Sequence, residues 1–364
     1  MKLKIFYQTI ALCDGCQEPI SKLLKDVPYD NICGMVIFCQ EDKTGYHNML
    51  DRFKSSLKEF IGRDIPVTLV PQPFLPAEGL CAEIYTLDST EGIEFNEGYG
   101  LIKTDDYSLI FIEGIASTDF SEGVFRQSSE VFEKIDAILS RHGFCPDDIV
   151  RQWNYIGNIT QHREGRQNYQ EFNDARSAYY KKCIWANGYP AATGIGASCE
   201  GVIVGCIAYK SAGGIHPINN PLQTAAHEYS KKVLVDNNAD AIKSTPKFER
   251  AKLIEIEDQA CCFVSGTAAI RGEQSMDANS ARSQTIQTIE NIEYLTSTEN
   301  LERFGCKPYE LHCANLRVYV KHTEDYEEVK SVVSERYPDV PTIYTIADVC
   351  RKELLVEIEG ILTT

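Results

Sequence analysis

The sequence predicts an α+β protein of mixed sheets with helices packed on one face, assembled from a repeated strand-helix-strand-helix-strand unit. Residues 106–210 and 260–364 run through that order with similar spacing, and short β-branched runs alternate with longer amphipathic stretches. A fainter copy in residues 1–105 suggests a third unit, so that one chain would mimic a trimer of single-unit subunits, a pseudo-trimer.

Element by element, the first of the clear units opens with the strand-like Ser108–Gly114. An amphipathic helix from about Gly123 to Arg141 follows, stopped by His142-Gly143 as a C-cap would stop it. Next come a strand over Asp148–Ile156, a helix over Tyr169–Lys182, the segment Pro190–Gly196 and a closing strand, Gly201–Tyr209. The second unit opens with Cys262–Ile270 and a helix near Ser283–Phe304, on which Ile286, Ile289 and Ile292 form one apolar stripe. Strand Asn315–Val320, a helix near Glu324–Tyr337, Val340–Tyr344 and strand Leu354–Ile358 complete it. In the faint copy Cys33–Phe38 reads as a strand and His47–Ile61 as a helix, and Asp64–Leu69 with Leu80–Ile84 echoes Asp339–Ile343 with Leu354–Ile358. Residues 211–259 connect the two clear units and are expected to contribute to the cleft.

Composition narrows the function. With 364 residues, 43% of them hydrophobic and 24% charged, the chain is long enough for two or three cored domains. Its longest apolar runs, such as Gly201–Ala208, fall far short of the roughly 20 residues of a membrane span. Met1–Tyr7 reads as a strand without a signal-peptide core, so a cytoplasmic location is expected. The 14 cysteines then read as reduced thiols, with Cys261-Cys262 in the core. The one close pair, Cys13 and Cys16, lacks a second pair at metal-site spacing, and the seven histidines, His216 and His227 among them, are scattered singly. No phosphate-binding glycine fingerprint occurs, so neither cofactor nor metal is expected. A net charge of −17 opposes a nucleic-acid partner, because such affinity comes mainly from Lys and Arg on phosphates.

Particular segments carry a family resemblance: Arg151–Ile156, Tyr169–Arg176, Pro190–Gly196, Thr245–Ala251, Ser265–Gly272 and Ala347–Gly360. In this order they resemble the chorismatase family, whose members contain units like those of the Rid (YjgF-type) family, trimers of small α+β subunits with sites at their interfaces. The chain departs at Leu222, where relatives tend to carry Arg, at Glu273, where they tend to carry His, and at Ser230, where they tend to carry Pro. The resemblance implies an enzyme that releases pyruvate from chorismate without a cofactor, as a lyase or hydrolase, acting as a monomer or small homo-oligomer. The −17 charge sets aside the ribonuclease label often given to Rid-type proteins.

Chorismate carries two carboxylates and an enolpyruvyl ether, so its site needs fixed cations and an acid to protonate the enol methylene. The resemblance implies Glu357 as that acid. By pattern alone Leu355, Glu357 and Glu359 alternate with Val356 and Ile358 as on a strand with one wet face. Aligning Cys350-x6-Glu357 with Cys199-x6-Cys206 puts Cys206 where the active copy has Glu, as expected if one composite site survives; Glu83 is the rival from the N-terminal copy. Arg250 is the candidate carboxylate clamp, since a guanidinium matches a carboxylate in two hydrogen bonds. Tyr229 and Arg317 are further substrate-binding candidates, Arg317 either lining the cleft or facing water. Ser265 and Gly266 would offer backbone N–H groups to an anion from a tight turn. A cysteine at Cys350 accompanies family members that form 3-hydroxybenzoate.

Two other readings remain. A Rid-type enamine or imine deaminase would use an arginine in a Pro-x-Arg-Thr stretch, and the counterparts here, Pro190–Thr193 and Pro341–Ile343, have none. A non-catalytic small-carboxylate-binding protein would be consistent with the changes at Leu222 and Glu273.

Overall fold

Runs rich in Val, Ile and aromatic residues form strands buried on both faces, which lets three sheets meet at the centre of the molecule. The structure is a computed structural model, and it describes residues 3–11, 18–40, 45–76, 79–87, 93–96, 98–163, 165–230, 244–256 and 259–364. Cys13 and Cys16 lie outside the described residues.

The first unit comprises β1 (Leu3–Ala11), α1 (Glu18–Leu23), β2 (Ile32–Cys39), α2 (Tyr46–Ile61), β3 (Val67–Pro71), β4 (Phe74–Leu75) and β5 (Gly79–Leu87). Its sheet runs β1-β5-β2-β3, with β2 and β3 parallel. The second has β6 (Ile93–Phe95), β7 (Tyr99–Lys103), β8 (Tyr107–Ala116), α3 (Val124–Arg141), β9 (Ile149–Gly157), the ribbon of β10 (His162–Arg163) and β11 (Arg166–Gln167), α4 (Asn168–Tyr180), β12 (Ala191–Ala197) and β13 (Val202–Ser211). Its main sheet runs β12-β9-β13-β8-β7-β6. The third has β14 (Ile215–Ile218), β15 (Ala251–Ile256), β16 (Gln259–Ala268), the ribbon of β17 (Ile270–Arg271) and β18 (Gln274–Ser275), α5 (Ala281–Leu295), α6 (Thr298–Arg303), β19 (His312–Val320), α7 (Tyr326–Arg336), β20 (Thr342–Ile346) and β21 (Val356–Thr363). Its order, β14-β15-β16-β21-β19-β20-β4, repeats that of the second sheet strand for strand and adds β4 at the edge.

Several details differ from the sequence expectations. The second sheet starts at Ile93 rather than at 106, and residues 211–259 supply two strands, β14 and β15, to the third. The helix expected over Ser283–Phe304 is two helices, because Ser297 caps a new one by accepting the Asn300 N–H. Ile289 and Ile292 are buried, whereas Ile286 is on the exposed flank of α5. The N-terminal copy has the same four central strands as the others.

Each sheet uses its two faces differently. Ile110, Ile112 and Val204 meet Phe132 and Ile135 of α3 and Phe172 of α4, while Val264, Val318 and Ile358 meet Ile289 of α5 and Val329 of α7. The opposite faces share one core: Phe38 and Tyr85 from the first sheet, Phe111 and Tyr155 from the second, Tyr319 and Ile361 from the third. Glu357 is on this inner face.

Candidate active site

A cavity of ≈ 720 Å³, counted with its open mouth, lies where the second and third units meet. Hydrogen bonds join the two units there. The Ser265 hydroxyl donates to the Glu249 carbonyl and accepts the Ala192 N–H, and the Glu249 N–H reaches the Pro190 carbonyl at 3.1 Å. Cross-links of this kind hold β12 against β16 and leave the start of α4, the loop before β21 and residues 246–250 around the opening.

Glu357 lines the cavity and is 5% exposed. Burial, reinforced by the Glu359 carboxylate and only partly offset by Arg151 and Arg250, pushes its carboxyl up to about 8. The face that alternation made wet is the junction of three sheets. Beneath the acid is Gly266, at a bulge of β16. A Cβ added there would stand 2.0 Å from Glu357 Oε1 and 3.0 Å from Thr193 Cγ2, so only glycine leaves room for the carboxyl. Gly194 does the same for the Tyr169 ring, which an added Cβ would meet at 3.0 Å.

Cations face the acid across the cavity. Arg250 donates to the Thr224 carbonyl at 2.6 Å and to the Tyr229 hydroxyl at 2.7 Å, while its buried Nε has no protein partner. Arg351, which sequence reasoning passed over although it follows Cys350 in a quoted motif, also lines the cavity. It donates to the Glu273 carbonyl at 2.9 Å and lies 5.3 Å from the Tyr229 ring centroid; Arg250 lies 5.6 Å from the same ring. Tyr229 thus stands between two guanidinium groups. Cys350 is in the wall, and burial pushes its thiol up to about 12, so it is a neutral, compact lining group. Gln167, Gln170 and Asn173 add amide groups, the Gln167 Nε2 being buried and unpaired.

Arg317 lines neither this cavity nor bulk water. It is 2% exposed in the central core, paired with Glu83 through Nε at 2.9 Å and with Glu359 through Nη1 at 3.2 Å. This pairing also removes Glu83 as a rival acid, since Arg317, Asn315 and Tyr85 all bond its carboxylate. Ser265 is fully buried with its hydroxyl engaged in the cross-link, and its N–H goes to the Arg250 carbonyl at 3.0 Å. The Gly266 N–H is likewise used, donating to Thr193 Oγ1 at 2.9 Å. Instead of a turn with free donors, this segment is a bulged strand, with Gly266 as the cavity floor.

Cross-strand pairs fix how the units correspond. Tyr319 faces Glu357 as Tyr155 faces Ile203, and Leu316 faces Gly360 as Gln152 faces Cys206. The counterpart of Glu357 is therefore Ile203, three positions from the Cys206 that cysteine spacing indicated. The cause is the connection before the last strand, residues 198–201 in one unit and 347–355 in the other. Leu222 and Glu273 are absent from the cavity wall. Glu273 accepts the Ser230 N–H at 2.8 Å and the Ser230 hydroxyl at 2.6 Å, so two of the three departures bind each other. His227 packs edge-on against Tyr189 at 5.4 Å and His216 is in β14; neither lines the cavity. Among the described residues no cluster suited to a metal ion and no helix long and apolar enough to cross a membrane occurs, and the twelve described cysteines are free.

Comparison with known proteins bears on the family and the fold. A family profile described as Chorismatase FkbO/Hyg5-like, N-terminal, matches residues 88–208. A 3-hydroxybenzoate synthase of Streptomyces hygroscopicus is 31% identical over 291 residues, covering 77% of this chain and 81% of the relative. A chorismatase of Streptomyces rapamycinicus is 29% identical over 287 residues with the same coverage, 77% and 81%. A chorismatase crystal structure superposes with a TM-score of 0.74 at 20% identity, covering 99% of this chain and 98% of the other, which extends the shared fold to the whole molecule. The chain belongs to the chorismatase family.

Proposed function

We propose that the protein cleaves chorismate to pyruvate and 3-hydroxybenzoate, with Glu357 as general acid and Arg250 and Arg351 as clamps for the substrate carboxylates. The observation that carries this is a buried carboxyl, pushed up to about 8, in the wall of a cavity that also holds two guanidinium groups. Protonation of the enolpyruvyl methylene by Glu357 makes an oxocarbenium-like centre at the ether carbon. If water adds there, the hemiketal collapses to pyruvate and a dihydroxycyclohexadiene carboxylate. Loss of the second ring hydroxyl as water, with the proton of the ether-bearing ring carbon, then makes the ring aromatic. If the neighbouring ring hydroxyl adds instead, its own ring C–O bond breaks as that proton leaves, and the hemiketal so formed collapses to pyruvate and 3-hydroxybenzoate. For the 3-hydroxybenzoate outcome no water is consumed overall: the two products together contain the atoms of chorismate.

Support for the product comes from the relative at 31% identity that carries the name 3-hydroxybenzoate synthase, and from the neutral Cys350 thiol in the wall. A binding protein without catalysis has less in its favour, because Leu222 and Glu273 are outside the cavity wall. An imine deaminase of the Rid type is disfavoured because Ala192 on β12 and Ile343 on β20 stand where the Pro-x-Arg-Thr pattern would have its arginine. The test is incubation of the purified protein with chorismate. Pyruvate and 3-hydroxybenzoate should appear in equal amounts; pyruvate with a dihydroxycyclohexadiene carboxylate changes the product assignment, and no pyruvate overturns the activity.

A further inference from the structure

We propose that Glu359, which the reaction scheme does not use, is the positioning residue of this site: its fixed negative charge acts on Glu357 along one face of β21 and holds the acid ready to donate. This rests on the reading of Glu357 as the acid. Residues two apart on a strand share a face and lie roughly 6.6 Å apart along it, and Glu357 and Glu359 pair with Tyr319 and Arg317 of β19 in unbroken register.

Glu359 is held from several sides. Arg151 Nη2 reaches its Oε2 at 2.6 Å, and Trp153 Nε1 reaches its Oε1 at 2.8 Å. Tyr319 donates to Oε1 at 3.2 Å and Arg317 Nη1 is 3.2 Å away. The Thr193 hydroxyl donates to Oε2 and, on its other side, accepts from Arg151 at 2.7 Å and from the Gly266 N–H at 2.9 Å. Thr193 therefore ties the carboxylate to the glycine directly beneath the acid.

Glu357 has different surroundings. Among the described residues it has no hydrogen-bond donor, and the charged or titratable groups that face it are Glu359 on its own strand, Arg151 of β9, Arg250 ahead of β15, Tyr169 of α4, Cys350 of the loop before β21 and, across the cavity, Arg351 and Tyr229. Arg151 spends its bonded nitrogen on Glu359 and Thr193, so that like-charge repulsion from Glu359 adds to burial, the larger cause, in keeping a proton on Glu357. At an effective dielectric near 20, two carboxylates roughly 6.6 Å apart repel by an amount worth one to two pH units in the titration of the other. Corresponding positions in the other units are Gly205 and Glu83, and of the two carboxylates it is Glu359 that stands two residues along the strand from a cavity-lining glutamate.

Two titration readouts test this: the alkaline limb of kcat/KM for pyruvate release, and the midpoint of the infrared band of the protonated carboxyl that Glu357→Gln abolishes, recorded in a Glu113→Gln background to remove a second buried acid. Glu359→Gln should lower both by at least one pH unit, and Arg151→Met should raise both. A merely structural role would change amplitude or stability and leave the midpoints in place. If Glu359→Gln does not fold, Thr193→Val removes a neutral donor and should raise the midpoint by some tenths of a unit, with Thr193→Ser restoring it. Midpoints within 0.3 unit of the parent (roughly 2-fold in proton affinity) in every folded variant overturn the proposal. Failure of the underlying reading looks different: Glu357→Gln would release pyruvate at the parental rate, and the infrared midpoint would then judge Glu359 alone.

Discussion

Two junctions between units bury a carboxyl over the same framework, and only one of these two carboxyls lines the cavity described above. Between the second and third units, the Gly266 N–H donates to Thr193 Oγ1; between the first and second, the Gly114 N–H donates to Thr68 Oγ1 at 2.8 Å. Glu357 at the one and Glu113 at the other are both pushed up to about 8, in each case chiefly by burial. Glu113 is closed in. Thr68 donates to its Oε2, Gly205 and Gly34 pack against it, and its Oε1 has no protein partner. Glu357 instead faces open space shared with Arg250 and Arg351. A raised proton affinity thus comes chiefly from burial at both junctions, with a neighbouring carboxylate adding to it, and does not identify an acid catalyst; access and facing cations do.

The comparison can be broken at several points. Gly266→Ala has the largest expected effect: the new Cβ falls 2.0 Å from Glu357 Oε1, so pyruvate release should drop about 100-fold, within the range that a general acid supplies. Steady-state kinetics on the folded variant checks this, and parental kinetics would show that the floor is not shaped around the acid. Arg250→Met should raise KM for chorismate roughly 10- to 100-fold, as expected on removing a charge-assisted pair, whereas Glu113→Gln should leave kcat and KM within about 2-fold because its side chain does not line the cavity that holds Glu357.

Stability against pH gives a smaller, shared signature. An acid whose folded pKa is raised binds its proton more tightly when folded, so stability is full below the unfolded value of about 4.3 and falls as pH rises toward 8, by roughly 1.4 kcal/mol per unit for each group. Glu113→Gln and Glu357→Gln should each flatten that fall between about pH 5 and 8. Denaturant midpoints at a series of pH values would show it, and an unchanged slope in both variants would mean that neither carboxyl is buried as described.

Much of the fold was legible because hydrophobic periodicity marks strands and helices locally, and their repeated order marks the units. The centre was less legible. Alternation around Glu357 cannot tell a solvated face from one buried against two other sheets, and only the resemblance of Ala347–Gly360 singled that glutamate out. Arg317 and Glu83 lie 234 positions apart and meet only because their sheets do, so no local pattern could pair them. Counting from cysteines failed for Cys206 because the connections before the last strands differ in length, while the register of β9 with β13 and of β19 with β21 is shared. Arg351 was missed since a basic residue in a loop carries no signal of its own; its place beside Tyr229 does.

The central claim is that the accessible one of these two buried carboxyls supplies the proton. Pyruvate release from chorismate by Glu357→Gln, measured beside the parent and Glu113→Gln with folding checked by circular dichroism, tests it most directly. The account predicts that Glu357→Gln falls by 100-fold or more while Glu113→Gln keeps the parental rate. Turnover of chorismate by a folded Glu357→Gln at the parental rate would contradict it.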